Sequence, residues 1–279
     1  MLSHGVALAH DIVRAPDRTP TRSILLLHGI LGSGANLRTI ARRFVAARPE
    51  WAAVLVDLRR HGASLEAPGP DTLAQAAEDV ASLARSLEAP ARAVLAHSFG
   101  GKVALQWLAT ERERAGLEHV MIVDSTPGAR EDARGSESTV RVVEMLDALP
   151  YPFDSRDAFV KAVLAQDPRP AIAPWLAMSL RRSDDGFRFG PPIPSIRALL
   201  ASYFATDLWG VVEAPPEGTS VHVVIGERSG VLDETDRARL DALAARLPGR
   251  VTVDRLATDH WVHAEDPEGL VRVMLARMA

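Results

Sequence analysis

An α/β fold on a mostly parallel sheet is predicted by three features of this 279-residue chain. Short apolar runs alternate with helix-periodic stretches through the first half. The runs are continuous rather than alternating in polarity, which fits strands buried on both faces. Two more such runs return near the end, after a proline-rich interval that contains none.

Taken in order, Val6 to Val13 reads as an antiparallel edge strand or one arm of a hairpin. Ser23–Leu27, Ala53–Val56, Ala93–Ala96 and Val120–Val123 read as buried strands. Helical periodicity fills the gaps between them, at about 36–48, 71–88 and 98–114. Val221–Ile225 and Arg250–Val253 are the late strands, and a helix over about 266–278 closes the pattern. Strand and helix in regular alternation is the mark of α/β architecture. From Pro127 to Pro215 inclusive there are ten prolines, with amphipathic segments at Ser138–Leu149, Asp157–Ala165 and Ile196–Tyr203. This interval reads as a helical insertion. Residues 1–126 and 216–279 then form the core, and 127–215 form a cap over the carboxyl ends of the strands, where open α/β sheets bind ligands.

Composition narrows the chemistry. Hydrophobic residues make up 47% and charged residues 24%, as in soluble globular proteins. With 0 Cys, a disulfide framework, a thiolate metal site and a Cys nucleophile are all excluded. The apolar runs fall far short of the ~18 residues of a membrane span. Met1 to His10 has no basic stretch leading into an apolar one, so no secretory signal is read and the cytoplasm is the expected compartment. A net charge of -4 is too mild to attract nucleic acid. Lys occurs only at 102 and 161, and the remaining basic residues are Arg, scattered among acidic residues as on a solvated surface.

The strongest local signal is Ala96-His97-Ser98-Phe99-Gly100-Gly101-Lys102, directly after a predicted strand. A nucleophile elbow needs Ser on a sharp strand-to-helix turn with small residues two before and two after it. Ala96 and Gly100 meet that need, with Ala in the place where Gly is usual. Helix amides behind Ser98 would favour a developing oxyanion. The bland alternative is a Ser that merely caps a helix.

His28-Gly29-Ile30-Leu31-Gly32 follows another buried strand. The Ile30 and Phe99 amides are the expected oxyanion donors, with Leu31 the substitute if the loop sits one residue further on. His28 reads as structural, and so does the turn Asp57-Leu58-Arg59-Arg60-His61-Gly62. Near the end, Asp259-His260-Trp261-Val262-His263 follows the last strand, and His260 is the expected base. His263 is expected to seat the loop.

The acid has three claimants. Ser, acid, His is the chain order of one large class of hydrolases. On the loop after Val221–Ile225, position 229, where Asp is expected, holds Ser; Glu227 and Asp233 lie nearby. Asp124, at the end of the strand after the nucleophile strand, is favoured over both.

Together these motifs resemble the α/β-hydrolase superfamily, and within it the small bacterial esterases and abhydrolase-11-type proteins. The matching pieces run in the family's order over residues 22–275 and include Val123-Asp124-Ser125-Thr126-Pro127 and, more weakly, Leu180–Arg188. The resemblance implies an α/β-hydrolase fold, a mostly parallel central sheet flanked by helices, with a helical cap inserted after the sixth strand. It implies Ser98 as nucleophile and His260 as base, and it supports Asp124 as acid. The expected activity is hydrolysis of carboxylic esters of small to medium acyl groups through an acyl-enzyme, with no metal or organic cofactor. Trp175, Phe187, Phe189, Tyr203, Phe204 and Trp209 could line an acyl pocket, and Arg181 and Arg182 could meet a coenzyme A phosphate. The rivals are an acyl-CoA thioesterase, a perhydrolase or C–C hydrolase or lyase of the same fold, and a non-catalytic ligand receptor. The expected partner is a small ester or thioester, for a monomer or homodimer.

Overall fold

The computed structural model describes residues 8–130, 132, 133, 135–170 and 172–278. Residues 1–7, 131, 134, 171 and 279, which the expected core, cap and first strand partly include, lie outside the described residues.

Among the described residues, seven strands form one sheet: β1 (His10–Val13), β2 (Arg22–Leu27), β3 (Trp51–Val56), β4 (Ala91–His97), β5 (His119–Val123), β8 (Ser220–Gly226) and β9 (Val251–Leu256). Their spatial order is β1-β3-β2-β4-β5-β8-β9. All neighbours run parallel except β1, which pairs antiparallel with β3 at the edge. The continuous apolar runs have the two-faced burial expected of them. Ile24 and Leu26 of β2 enter one core cluster while Leu25 and Leu27 enter the other, because successive strand side chains point to opposite faces. Helices α1 (Arg38–Ala47) and α11 (Pro267–Arg277) cover the first face. Helices α2 (Leu73–Ser86), α3 (Phe99–Glu111) and α9 (Glu234–Arg246) cover the second.

Between β5 and β8 the chain builds α4 (Glu137–Ala148), α5 (Arg156–Gln166), α6 (Ile172–Ala177), a hairpin of β6 (Leu180–Ser183) and β7 (Gly186–Phe189), α7 (Ile193–Ala205) and α8 (Trp209–Glu213). Two expectations need correction. The insertion leaves the fifth strand rather than the sixth, because one strand, not a hairpin, precedes β2 among the described residues. It is also not wholly helical. The hairpin turns at Asp184-Asp185, with Gly186 at φ +138°, and its strands are four residues long, with Arg181, Arg182 and Arg188 exposed. Such strands carry no apolar run to announce them.

The topology also locates the crevice. From β2 the chain moves outward to β3, then returns to place β4 on the other side of β2. The loops after β2 and β4 therefore diverge at a reversal of strand order, where open α/β sheets hold their ligands.

Candidate active site

β4 ends at His97 and α3 begins at Phe99, so Ser98 alone makes the turn. Its backbone sits at φ +52°, ψ -117°, a region that costs a non-glycine residue roughly 1–3 kcal/mol. The surrounding structure holds it there. Ser98 N–H donates to Val123 O on β5 at 2.9 Å, and α3 packs tightly on the loop after β2. A Cβ on Gly100 would lie 2.6 Å from His28 O, so only glycine permits this approach. Ala96 is fully buried within β4 and lies in register with Leu27 and Ile122, so the turn forms without Gly at that position.

The loop after β2 passes directly against Ser98. A Cβ on Gly29 would meet His97 Nδ1 at 2.9 Å and Ser98 Cβ at 3.3 Å. Two buried histidines fix this loop to the one after β3. His28 Nδ1–H donates to Gly29 O at 2.7 Å, and its Nε2 accepts Leu58 N–H at 3.0 Å. His61 Nδ1–H donates to Arg59 O at 2.8 Å, and its Nε2 accepts Leu31 N–H at 2.9 Å. An accepting carbonyl requires Nδ1–H and a donating amide requires a bare Nε2, so both rings are neutral and of the same tautomer. Burial pulls His28 down to about 4 and His61 to about 3. Leu31 N–H is thereby occupied. Ile30 N–H has no acceptor among the described residues, and neither has Phe99 N–H at the start of α3, where intrahelical acceptors are missing.

Asp124 follows β5 and is fully buried at φ +47°. Its N–H donates to Val224 O on β8 at 2.8 Å. Oδ1 accepts Gly226 N–H at 3.1 Å. Oδ2 accepts both His260 Nδ1–H at 2.7 Å and the Ser229 hydroxyl at 2.5 Å. Glu227 is exposed, and Asp233 caps α9 by accepting Asp236 N–H. Of the three claimants, the structure brings Asp124 alone to the His260 ring. His260 and Ser98 line one cavity of about 320 Å³, with no hydrogen bond between their side chains. Such a contact often tightens only when substrate is bound.

The residue before Ser98 holds the His260 loop. His97 Nε2–H donates to His260 O at 2.9 Å, and its ring sits 4.7 Å from that of His260 and 4.6 Å from that of His263, on α10 (Val262–Glu265). Burial lowers His97 well below the usual imidazole range, and lowers His263 to about 4. The cavity's far wall comes from the insertion: Ser138, Thr139 and Val142 of α4, Arg169, and Ile172 and Trp175 of α6. Trp175 meets Trp261 edge to face at 4.7 Å. Of the six insertion aromatics named from sequence, Trp175 alone lines this cavity. Arg181 binds Gly62 O, and the Arg182 guanidinium lies 5.9 Å from the Phe187 ring; neither lines the cavity.

A family model described as the alpha/beta hydrolase family matches residues 24–273. The chain belongs to this family. Among hydrolases, it is 24% identical over 258 residues to Esterase YbfF of Escherichia coli, covering 90% of this chain and 91% of that protein. It is 32% identical over 127 residues to the sn-1-specific diacylglycerol lipase ABHD11 of Xenopus tropicalis, covering 44% of this chain and 37% of that one. A solved marine microorganism esterase superposes with a TM-score of 0.81 at 20% identity, over 96% of this chain and 98% of its own.

Three contacts at this hydrolase site have little or no sequence signal: Ser229 on Asp124, His61 on Leu31 N–H, and His97 on His260 O. Ser229 left a faint trace, as a hydroxyl where a carboxylate was expected. Among the described residues, no group of three or more His, Cys, Asp or Glu side chains is arranged to hold a metal, and no helix is long and apolar enough to cross a membrane.

Proposed function

We propose that the chain is a serine hydrolase cleaving carboxylic esters of small to medium acyl groups through a Ser98–His260–Asp124 triad. The observation that carries this reading is the 2.7 Å bond from His260 Nδ1 to buried Asp124, in the cavity that the Ser98 elbow opens into. Asp124 accepts Nδ1–H and so leaves Nε2 bare, the tautomer a general base needs. His260 takes the Ser98 proton as Oγ attacks the ester carbonyl. The Ile30 and Phe99 amides receive the oxyanion. The tetrahedral intermediate collapses to acyl-Ser98, and His260 gives its proton to the departing alcohol. Water then attacks the acyl-enzyme with His260 again as base, releasing acid and free Ser98.

The neighbouring rings support this division of labour. His28, His97 and His263 are all held neutral by burial. The insertion of residues 127–215 acts as the cap that walls the acyl pocket. A volume of about 320 Å³ is near the low end of small-molecule sites, which favours small to medium acyl groups.

The test is a p-nitrophenyl ester series from acetate to palmitate, with wild type and Ser98→Ala, alongside a fluorophosphonate probe. Activity and labelling should both vanish in the variant, with kcat falling by about 10⁶. A folded wild type that neither labels nor turns over any ester would overturn the reading. Faster turnover of acyl-CoA thioesters than of every oxyester would move it to a thioesterase.

A further inference from the structure

We propose that Lys102 is a positioning residue: its ammonium ties both stems of the insertion to the helix that carries the nucleophile, and so sets the depth of the cavity over Ser98. The inference rests on the hydrolase reading above.

Lys102 lies four residues beyond Ser98, one turn along α3, and is fully buried. It does not line the cavity. Its Nζ donates to Gly128 O at 2.7 Å, Tyr203 O at 2.8 Å and Thr206 O at 3.0 Å. These use all three of an ammonium's donors. Gly128 is on the stem leaving β5. Tyr203 is in the last turn of α7 and Thr206 is its C-cap, on the stem returning to β8. Carbonyls at a helix C-terminus lack intrahelical partners and carry the negative end of the helix dipole, so a cation suits that place. Nζ also sits 4.3 Å from the centre of the Tyr203 ring. The stems bind each other on either side of this cation, through Leu208 N–H to Pro127 O at 2.8 Å and Arg130 N–H to Phe204 O at 2.7 Å.

The position of α7 reaches the cavity through α4. Arg197 of α7 pairs with Asp147 of α4 at 2.9 Å, and Leu199 and Val142 share one apolar cluster. Ser138, Thr139 and Val142 of α4 then face the substrate cavity. Ser98 and its cavity's far wall are thus referenced to one helix. Burying a lysine is costly, and an apolar side chain of similar length would avoid that cost. What the apolar chain could not do is satisfy three carbonyls from two separate stems.

The test combines hydrogen exchange with ester kinetics for wild type, Lys102→Gln and Lys102→Met. In Lys102→Met, amides of 128–130 and 204–208 should exchange about tenfold faster or more, while those of β2 and β4 stay within about twofold. KM should rise about tenfold with kcat within about threefold, and Lys102→Gln, which keeps two N–H donors, should fall between. Unchanged KM and stem exchange in Lys102→Met would overturn the proposal. Equal acceleration in stems and sheet would also overturn it, since that marks a packing residue alone. If the Met variant does not fold, Lys102→Gln decides: stem amides that exchange faster than in wild type while those of β2 and β4 stay within about twofold support the tie, and unchanged stem exchange refutes it. Ser98→Ala retaining full activity would sink the hydrolase reading instead, and the exchange data would still judge the Lys102 tie.

Discussion

Ser229 and His260 share one oxygen of Asp124: the Ser229 hydroxyl donates to Oδ2 at 2.5 Å and His260 Nδ1–H at 2.7 Å. Ser229 stands on the loop after β8, the loop that also carries the less favoured acid candidates Glu227 and Asp233. Because β5 and β8 are neighbours, a carboxylate at the end of either strand can approach the same imidazole. Here the carboxylate bonded to His260 follows β5, and Ser229 on the loop after β8 donates to it.

The first prediction concerns this acid. Asp124→Asn should lower kcat by about 10³–10⁴, since an amide can stabilise the wrong tautomer and no longer supports the imidazolium. Glu227→Gln and Asp233→Asn should stay within about threefold of wild type on p-nitrophenyl acetate. The reverse ranking would remove Asp124 from the triad. Adding Ser229→Asp to Asp124→Asn should recover about tenfold or more of the lost kcat. No recovery would mean that the β8 loop is unable to present a carboxylate to His260.

The second concerns the loop after β2. His61→Phe removes the acceptor of Leu31 N–H and frees the loop that carries Ile30. Loss of one preorganised donor is worth about 10²–10³ in kcat, so a fall near the lower figure with little change in KM is expected. Steady-state kinetics on a variant of wild-type circular dichroism would check it. An unchanged kcat would reduce His61 to a packing role.

The third concerns pH. His28, His222 and His263 are lowered to about 4 and His61 to about 3, all chiefly by burial. The unfolded chain binds protons at these positions near pH 6.5, whereas the native state resists them. Between about 6.5 and 4 the unfolded state therefore holds more protons, and stability falls as pH falls. Urea midpoints should decline steadily from about pH 6.5 towards pH 4. A midpoint that rises on acidification would contradict the neutral, buried assignment.

The fourth concerns chain length. Trp175→Ala deletes the insertion's indole from the cavity wall and should move the preferred ester by about two to four carbons towards longer acyl chains. Phe204→Ala, a change outside the cavity lining, should leave that preference where it was. Identical shifts in both variants would show that general loosening, not wall removal, sets the length.

Much of the core was legible because parallel strands need continuous apolar runs, and Leu25, Val54, Leu95 and Ile122 sit in just such runs. The elbow was legible for the same local reason. Strand, Ser98 and helix are contiguous, and a turn that tight demands Gly100. The β6–β7 hairpin was not, since Arg181 and Arg182 are exposed, polar strand residues and its pairing depends on a turn and a partner strand. Helix α9 carries a local signal in its Asp233 cap, but an acidic residue after a late strand reads equally as a candidate acid.

By itself, then, the sequence determined what local chemistry can encode: the strand runs, the Ser98 turn, the glycines and the family to which the motifs belong. The tertiary structure decided which distant groups meet. Asp124 and His260 lie 136 positions apart, and Lys102 and Thr206 lie 104 apart. The order of strands in the sheet, and the path of the insertion back onto α3, bring them within hydrogen-bond reach. No local pattern records such a pairing, because it depends on which strand ends lie side by side.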